Sequence, residues 1–328
     1  MLLIVPLYNL FGDNLVTQLA VNANELKPMT VKGKPYLEID DKELRIALDI
    51  ASDIAQKFEK DNKKPIPLNA NDKKVMEKVL KCFNFSSSDS ISNVLKNFNI
   101  EQSKECYVDN VPSFIKPEYY EFVRIPGKPG GQKMSVKVDS RYVILAIAGW
   151  LFSRIGYARV GGETIGVNVF TLTKSMLYNT YGQFSGVKPE TAFIFLLADR
   201  VIKSGSNISS ARVYLMSDAG GQNPTVILGG FSVDFSKLLE KKELIDDDLI
   251  RLAQDATNDQ SPTSDFSARI VELVYEVIGG AKRVEDLVYL ANRYVSMEVR
   301  NAKDFCKNNR IYCTAYYYSQ KLLSEIGW

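Results

Sequence analysis

A chain of 328 residues with 41 Lys and Arg against 39 Asp and Glu, and with no histidine at all, excludes several chemistries at once. Without imidazole there is no Ser-His-Asp or Cys-His nucleophile system, no histidine general base and no histidine-ligated zinc. The formal net charge of +2 is too small to announce nucleic acid over the whole surface, so any such role must lie in how the charges are distributed. With 45% hydrophobic residues the chain can bury a sizeable core, and its length suggests about two domains. Cys82, Cys106, Cys306 and Cys313 show no C-x-x-C spacing and are expected to be reduced and mostly buried. The N-terminus does not read as a signal peptide. The longest apolar run, Tyr142 to Phe152, is far shorter than the roughly 20 residues that cross a bilayer, so a cytoplasmic protein is expected.

In chain order, Leu2 to Leu7 reads as a buried strand and Asn14 to Ala23 as a short helix. Asp40 or Asp41 then caps a clear helix, in which Leu44, Ala47, Leu48, Ala51, Ile54, Ala55 and Phe58 form one apolar face. The prolines and asparagines of 62–71 make a loop, and Asp72 to Phe83 and Ser90 to Phe98 read as two short helices. The first 100 residues are therefore expected to be mainly helical, and Asn99 to Pro117 irregular.

The centre of the chain supplies a sheet. Glu118 to Ile125 and Lys133 to Val138 read as the strands of a β-hairpin around the turn-forming tip PGKPGGQ. An apolar helix follows over Arg141 to Ile155, then a Gly161-Gly162 turn and a strand over Ile165 to Leu172. Pro189 opens a helix over Glu190 to Ile202 that Gly205 ends. Strands over Ala211 to Met216 and Thr225 to Val233 complete the set, joined by SDAGGQNP. Short connections between neighbouring strands predict an antiparallel or mixed sheet.

From Ser236 onward only helical patterns remain: Ser236 to Leu239, Asp246 to Ala256, a helix from Ser261-Pro262 to Gly279-Gly280, and further helices through Val295, Cys306 and Thr314 to Ile326. The expected class is α+β, with a helical N-terminal part, a central sheet carrying a basic hairpin, and a C-terminal helical bundle. The expected domains are 1–235 and 236–328.

Charge distribution is the most informative chemical feature. Between Lys116 and Lys174 nine basic residues face four acids. Alternation places Lys133 and Lys137 on one face of their strand, beside a tip with Lys128 and Gly130-Gly131, where backbone and lysines could approach phosphates. Edge-strand lysines that block aggregation explain the same pattern. Lys303, Lys307 and Arg310 share one side if their helix is continuous, followed by Tyr312, Tyr316, Tyr317 and Tyr318. Those aromatics suit base stacking, a protein interface, or the rim of the bundle. Asp246, Asp247 and Asp248 suit a hard cation but are better read as a helix N-terminus. Ser217 to Gly221 lacks the phosphate-binding G-x-x-x-x-G-K-[ST] pattern. No catalytic, metal or cofactor site is expected.

The opening LYNLFGDNL, the block VKVDSRYVILAIAGWLFSRIGYARVGGETIGVNVF and the later VYLMSDAGGQNPTVILGG resemble the large subunit of archaeal subtype I-A CRISPR interference complexes, the short Cas-eight family. The resemblance implies a non-catalytic subunit of a crRNA-guided surveillance (Cascade) complex in antiviral defence. Such a subunit helps recognise the protospacer-adjacent motif, stabilises the opened target DNA and helps recruit the nuclease-helicase. Its partners would be crRNA, target DNA, and the backbone and small subunits. By local charge, the DNA contacts are expected at Lys128, Lys133 and Lys137 with Gly130 and Gly131, at Arg141 and Arg159, and on the face of Lys303, Lys307 and Arg310. Two other readings stay open: a protein-interaction scaffold, and a metal-dependent nucleotidyl enzyme built on Asp246 to Asp248.

Overall fold

The chain opens on strand β1, Leu2–Ile4, within the span where a buried strand was expected. The computed structural model describes residues 2–4, 10–22, 28–31, 34–38, 40–100, 106–115, 137–174, 177–217, 225–296 and 302–326. These residues fall into two units. The first comprises Met1–Ile155, Gly166–Tyr181 and Ala211–Ser232, and the second Gly156–Ile165, Gly182–Ser210 and Val233–Trp328.

In the first unit, β1 joins β2 (Pro28–Val31) and β3 (Lys34–Glu38) in an antiparallel sheet of order β1-β3-β2, with Leu2 opposite Glu38 and Met29 opposite Tyr36. The last two strands were not foreseen. Each is short and carries a proline, which argues against a strand when read locally, and β3 finds its partner β1 far back in the chain. Helix α1 (Leu10–Ala20) starts four residues earlier than expected. Helix α2 (Asp41–Lys60) is capped as foreseen, the Asp40 carboxylate accepting from the Lys42 N–H at 2.9 Å. Helices α3 (Ala70–Lys81) and α4 (Ile91–Asn97) follow. A two-residue strand β4 (Tyr107–Val108) pairs with β5 (Val138–Asp139), and the chain enters α5 (Ser140–Ser153).

Helix α5 is apolar on every side, and twelve of its fourteen residues are buried. A helix of that kind can only sit inside a core. Here α1, α2, α3 and the turn at Ser113–Ile115 surround it, with the Phe114 ring edge-on to Trp150 at 5.2 Å. The approach to α1 is closest at Gly149, where any Cβ would overlap the backbone carbonyl of Asn14. Polar side chains are caught in the same layer: the amides of Asn14 and Gln18 and the indole N–H of Trp150 are buried without a hydrogen-bond partner.

The helix does not run on to Ile155 as the sequence suggested. The Ser153 hydroxyl turns back to the Trp150 carbonyl at 2.8 Å, and strand β6 (Arg154–Val160) begins at once. No glycine or proline marks that switch, which is why β6 went unread. Gly161 and Gly162, with φ of +57° and +86°, turn the chain into β7 (Glu163–Phe170), as a two-residue hairpin with both central residues left-handed requires. The mixed sheet has the order β10-β9-β7-β6-β8, built with β8 (Gly182–Phe184), β9 (Ser210–Ser217) and β10 (Val226–Asp234). The β6–β8 pair is parallel.

The second unit is mainly helical: α6 (Glu190–Ser204), α7 (Ser236–Glu240), α8 (Asp247–Ala256), α9 (Ser264–Ile278), α10 (Val284–Ser296), α11 (Ala302–Asn308) and α12 (Arg310–Ile326). Gly205 ends α6 in the left-handed conformation, as expected. The buried Tyr318 hydroxyl donates to the Leu244 carbonyl at 2.8 Å. Burial, then the charges of Asp246 and Glu325, push its pKa up. Among the described residues no helix is long and apolar enough to cross a membrane.

Two substitutions test the α1–α5 contact in opposite directions. Gly149→Ala must force the helices apart and is expected to cost about 2 kcal/mol, read as a lower denaturant midpoint. Gln18→Met removes an unpaired buried amide at similar volume and is expected to raise that midpoint.

Candidate nucleic-acid interface

The described residues on either side of the stretch with Lys128, Gly130, Gly131 and Lys133 are both anchored in the first unit. On the entry side, Asn69 and Asp72 form a capping box at the start of α3. The buried Asp72 carboxylate also accepts from the Ser113 N–H and hydroxyl, each at 2.7 Å. That clasp seats Phe114 and Ile115, both fully buried, in the core. On the exit side β5 pairs with β4, and the Ser140 N–H donates to the Cys106 carbonyl at 2.9 Å. Cys106 is joined by a disulfide to Cys82. The expectation of reduced cysteines is thereby corrected, as it is by the second disulfide, Cys306–Cys313. Both pairs lie close in space although no spacing motif announced them.

Lys128, Gly130, Gly131 and Lys133, with the first expected hairpin strand and all but the last two residues of the second, lie outside the described residues, while Val138 at the end of the second pairs with Val108 of β4. Lys137 is exposed just before β5. Arg141 is half-buried at the first turn of α5, and its guanidinium bonds the Asp139 carboxylate, which also caps the helix by accepting from the Arg141 N–H at 2.9 Å. The hydrogen bond that its guanidinium donates to the Asp139 carboxylate raises the Arg141 pKa. Its charge is thus already matched within the fold.

In the second unit Arg159 is exposed on β6. The basic residues near the C-terminus do not lie on one continuous helix. Lys303 and Lys307 belong to α11 and Arg310 opens α12, with Asn309 between them donating its side-chain amide back to the Phe305 carbonyl at 3.2 Å. The Asn309 N–H also donates to the Phe305 carbonyl at 2.9 Å. Lys307 and Arg310 are exposed. Of the tyrosines that follow, Tyr312 packs on Phe266 and stacks on Tyr294 at 5.5 Å, Tyr318 is buried, and Tyr317 is exposed.

The acidic run resolves as a helix start. The Asp246 carboxylate accepts from the N–H groups of Asp248 and Leu249, both at 3.0 Å, and from the Lys321 ammonium at 2.7 Å. Among the described residues no three His, Cys, Asp or Glu side chains are grouped to hold a metal ion.

One polar cluster escaped the sequence reading because its members lie some 200 residues apart in the chain. Asp13 on α1 accepts from the Arg212 guanidinium at 2.7 and 2.8 Å and from the Tyr214 hydroxyl at 2.9 Å. Burial raises the Asp13 carboxyl above its ordinary value against the opposing pull of Arg212 and Tyr214. Arg212 and Tyr214 border a shallow cavity of about 360 Å³ along β10. A Cβ at Gly230 would come within 2.9 Å of the Tyr214 ring, so glycine keeps that wall close.

A family model described as CRISPR-associated protein, CsaX matches residues 37–295. The chain belongs to the CsaX family. No curated protein matches it. Membership associates the chain with CRISPR defence. The matched span of this CsaX-family chain takes in the anchored stretch with Lys128, Lys133 and Lys137, and also Arg141 and Arg159. Lys303, Lys307 and Arg310 lie beyond its C-terminal limit.

Burial, and next the Asp13 charge, push Tyr214 up to about 12 from 10.0. Because the folded value is the higher one, this group's contribution to stability is complete below pH 10.0 and is lost as pH rises through about 12. The difference in tyrosinate absorbance between wild type and Tyr214→Phe is therefore expected to titrate near 12 in the folded protein and near 10.0 after denaturation.

Proposed function

We propose that this chain is the non-catalytic large subunit of a type I-A CRISPR surveillance complex. It would act in the cytoplasm with crRNA, target DNA, the backbone and small subunits and the nuclease-helicase. The observation that carries the reading is membership of a CRISPR-associated family over residues 37–295, joined to the resemblance of the Val136–Phe170 block to that subunit. In such a complex base pairing reads the long target, and the protein is left with the short flanking duplex and the phosphate backbone.

Two features support a DNA contact in the first unit. The stretch between Ile115 and Lys137 starts and ends on anchored backbone, and it carries Lys128 and Lys133 beside a glycine pair. The complete lack of histidine further supports a subunit that binds and positions and does not cut.

Binding of the full chain, alone and assembled with its partner subunits, to duplex and single-stranded DNA across a salt series tests the reading. The triple variant Lys128→Ala/Lys133→Ala/Lys137→Ala is expected to flatten the slope of log affinity against log salt by about 2 to 3, since each phosphate neutralised contributes roughly 0.9. An unchanged slope would remove those lysines from the interface. Absence of binding by the wild type, alone and assembled, would overturn the nucleic-acid role and leave a protein scaffold.

A further inference from the structure

The second unit holds a cavity of about 470 Å³ beside the basic residues near the C-terminus. One wall is a single face of α8 and its end, where Arg251, Gln254 and Asn258 recur at helical spacing. Gln183 and Phe184 of β8 form another wall, and Ile311, the residue after Arg310, closes a third.

The chemistry of the lining is that of a heterocycle site. Gln183, Gln254 and Asn258 each carry an exposed amide, although the Asn258 oxygen already accepts from the Gln260 N–H at 3.2 Å and leaves chiefly its NH2 group to donate. Side chains of this type pair bidentately with the edges of bases. Arg251 adds a planar guanidinium whose one ion pair, to Asp248 at 3.3 Å, is long and part-exposed. Phe184 is fully packed, with Phe193 edge-on at 5.3 Å and Arg200 over its ring at 4.9 Å, so it serves as a rigid apolar floor.

Asp255 also lines the cavity, and its carboxylate accepts from the hydroxyls of Ser261 at 2.5 Å, Thr263 at 2.8 Å and Ser267 at 2.6 Å. Its oxygens are thus taken up by three hydroxyls of the fold, and an acidic side chain in the lining suits a neutral ring better than a phosphate. Phosphate is instead favoured outside, at exposed Lys307 and Arg310. The volume lies in the range of pockets that take small organic rings.

We propose that this cavity receives one splayed-out nucleobase of a single strand whose phosphates run over Lys307 and Arg310. The inference rests on the nucleic-acid reading above and adds a base-binding site to it.

Single-stranded DNA and RNA of one sequence, each carrying a fluorescent adenine analogue at a single position, would be titrated with the full chain. Emission is expected to rise as the analogue leaves the stack. In Gln254→Ala/Asn258→Ala, whose substituted side chains are solvent-exposed, the rise should vanish and affinity should fall about tenfold, with the salt slope unchanged. Lys307→Ala/Arg310→Ala should instead flatten that slope. A rise with DNA alone identifies the opened target as the strand, and with RNA alone the guide. Binding with no rise, or a rise that survives the Gln254/Asn258 double substitution, overturns the base site while the nucleic-acid role stands. No binding of either strand by the wild type overturns the base site, and the salt series on duplex DNA then decides the wider role separately. Equal melting temperatures of wild type and both variants would show that losses come from contacts and not from unfolding.

Discussion

Everything in the first unit depends on burying one helix on all its sides. Ser140–Ser153 offers no polar face, so it is stable only if other elements cover it completely. The covering is close enough that the backbones of α1 and α5 touch at Gly149 and Asn14, and it traps two amides and an indole N–H without partners. Those unpaired groups cost stability, and the apolar burial around them, including Val143, Leu145, Ala146 and Leu151, outweighs that cost.

The same helix begins directly after the residues that follow the basic stretch. Asp139 caps α5, binds Arg141 and belongs to β5, so one carboxylate links helix start, strand pairing and charge. Asp72 does the equivalent work on the other side through Ser113. Family membership associates the chain that carries this arrangement with CRISPR defence.

In the second unit polar side chains serve two distinct ends. Asp246 and Asp255 are consumed by structure, the first as a cap and partner of Lys321, the second by three hydroxyls. Gln183, Gln254 and Asn258 instead line an open cavity. The acidic run is thus accounted for by structure.

The sequence by itself determined those features whose cause is local. Asp40 and Asp246 mark helix starts because a side chain needs only the next two or three N–H groups. Gly161-Gly162 and Gly205 mark a turn and a stop because only glycine enters the left-handed region cheaply. The apolar run of α5 announced its own burial. Only the tertiary structure decided the rest. Strands β2 and β3 exist because β1 pairs with β3 across the intervening helix, and β6 begins without any breaker because the sheet claims Arg154 onward. The Cys82–Cys106 disulfide, the Asp13–Arg212–Tyr214 cluster and the cavity walls join residues whose separation in sequence hides them. Periodicity reports which face of an element is apolar, but not which distant element meets it, because that choice is made by the packing of the whole core.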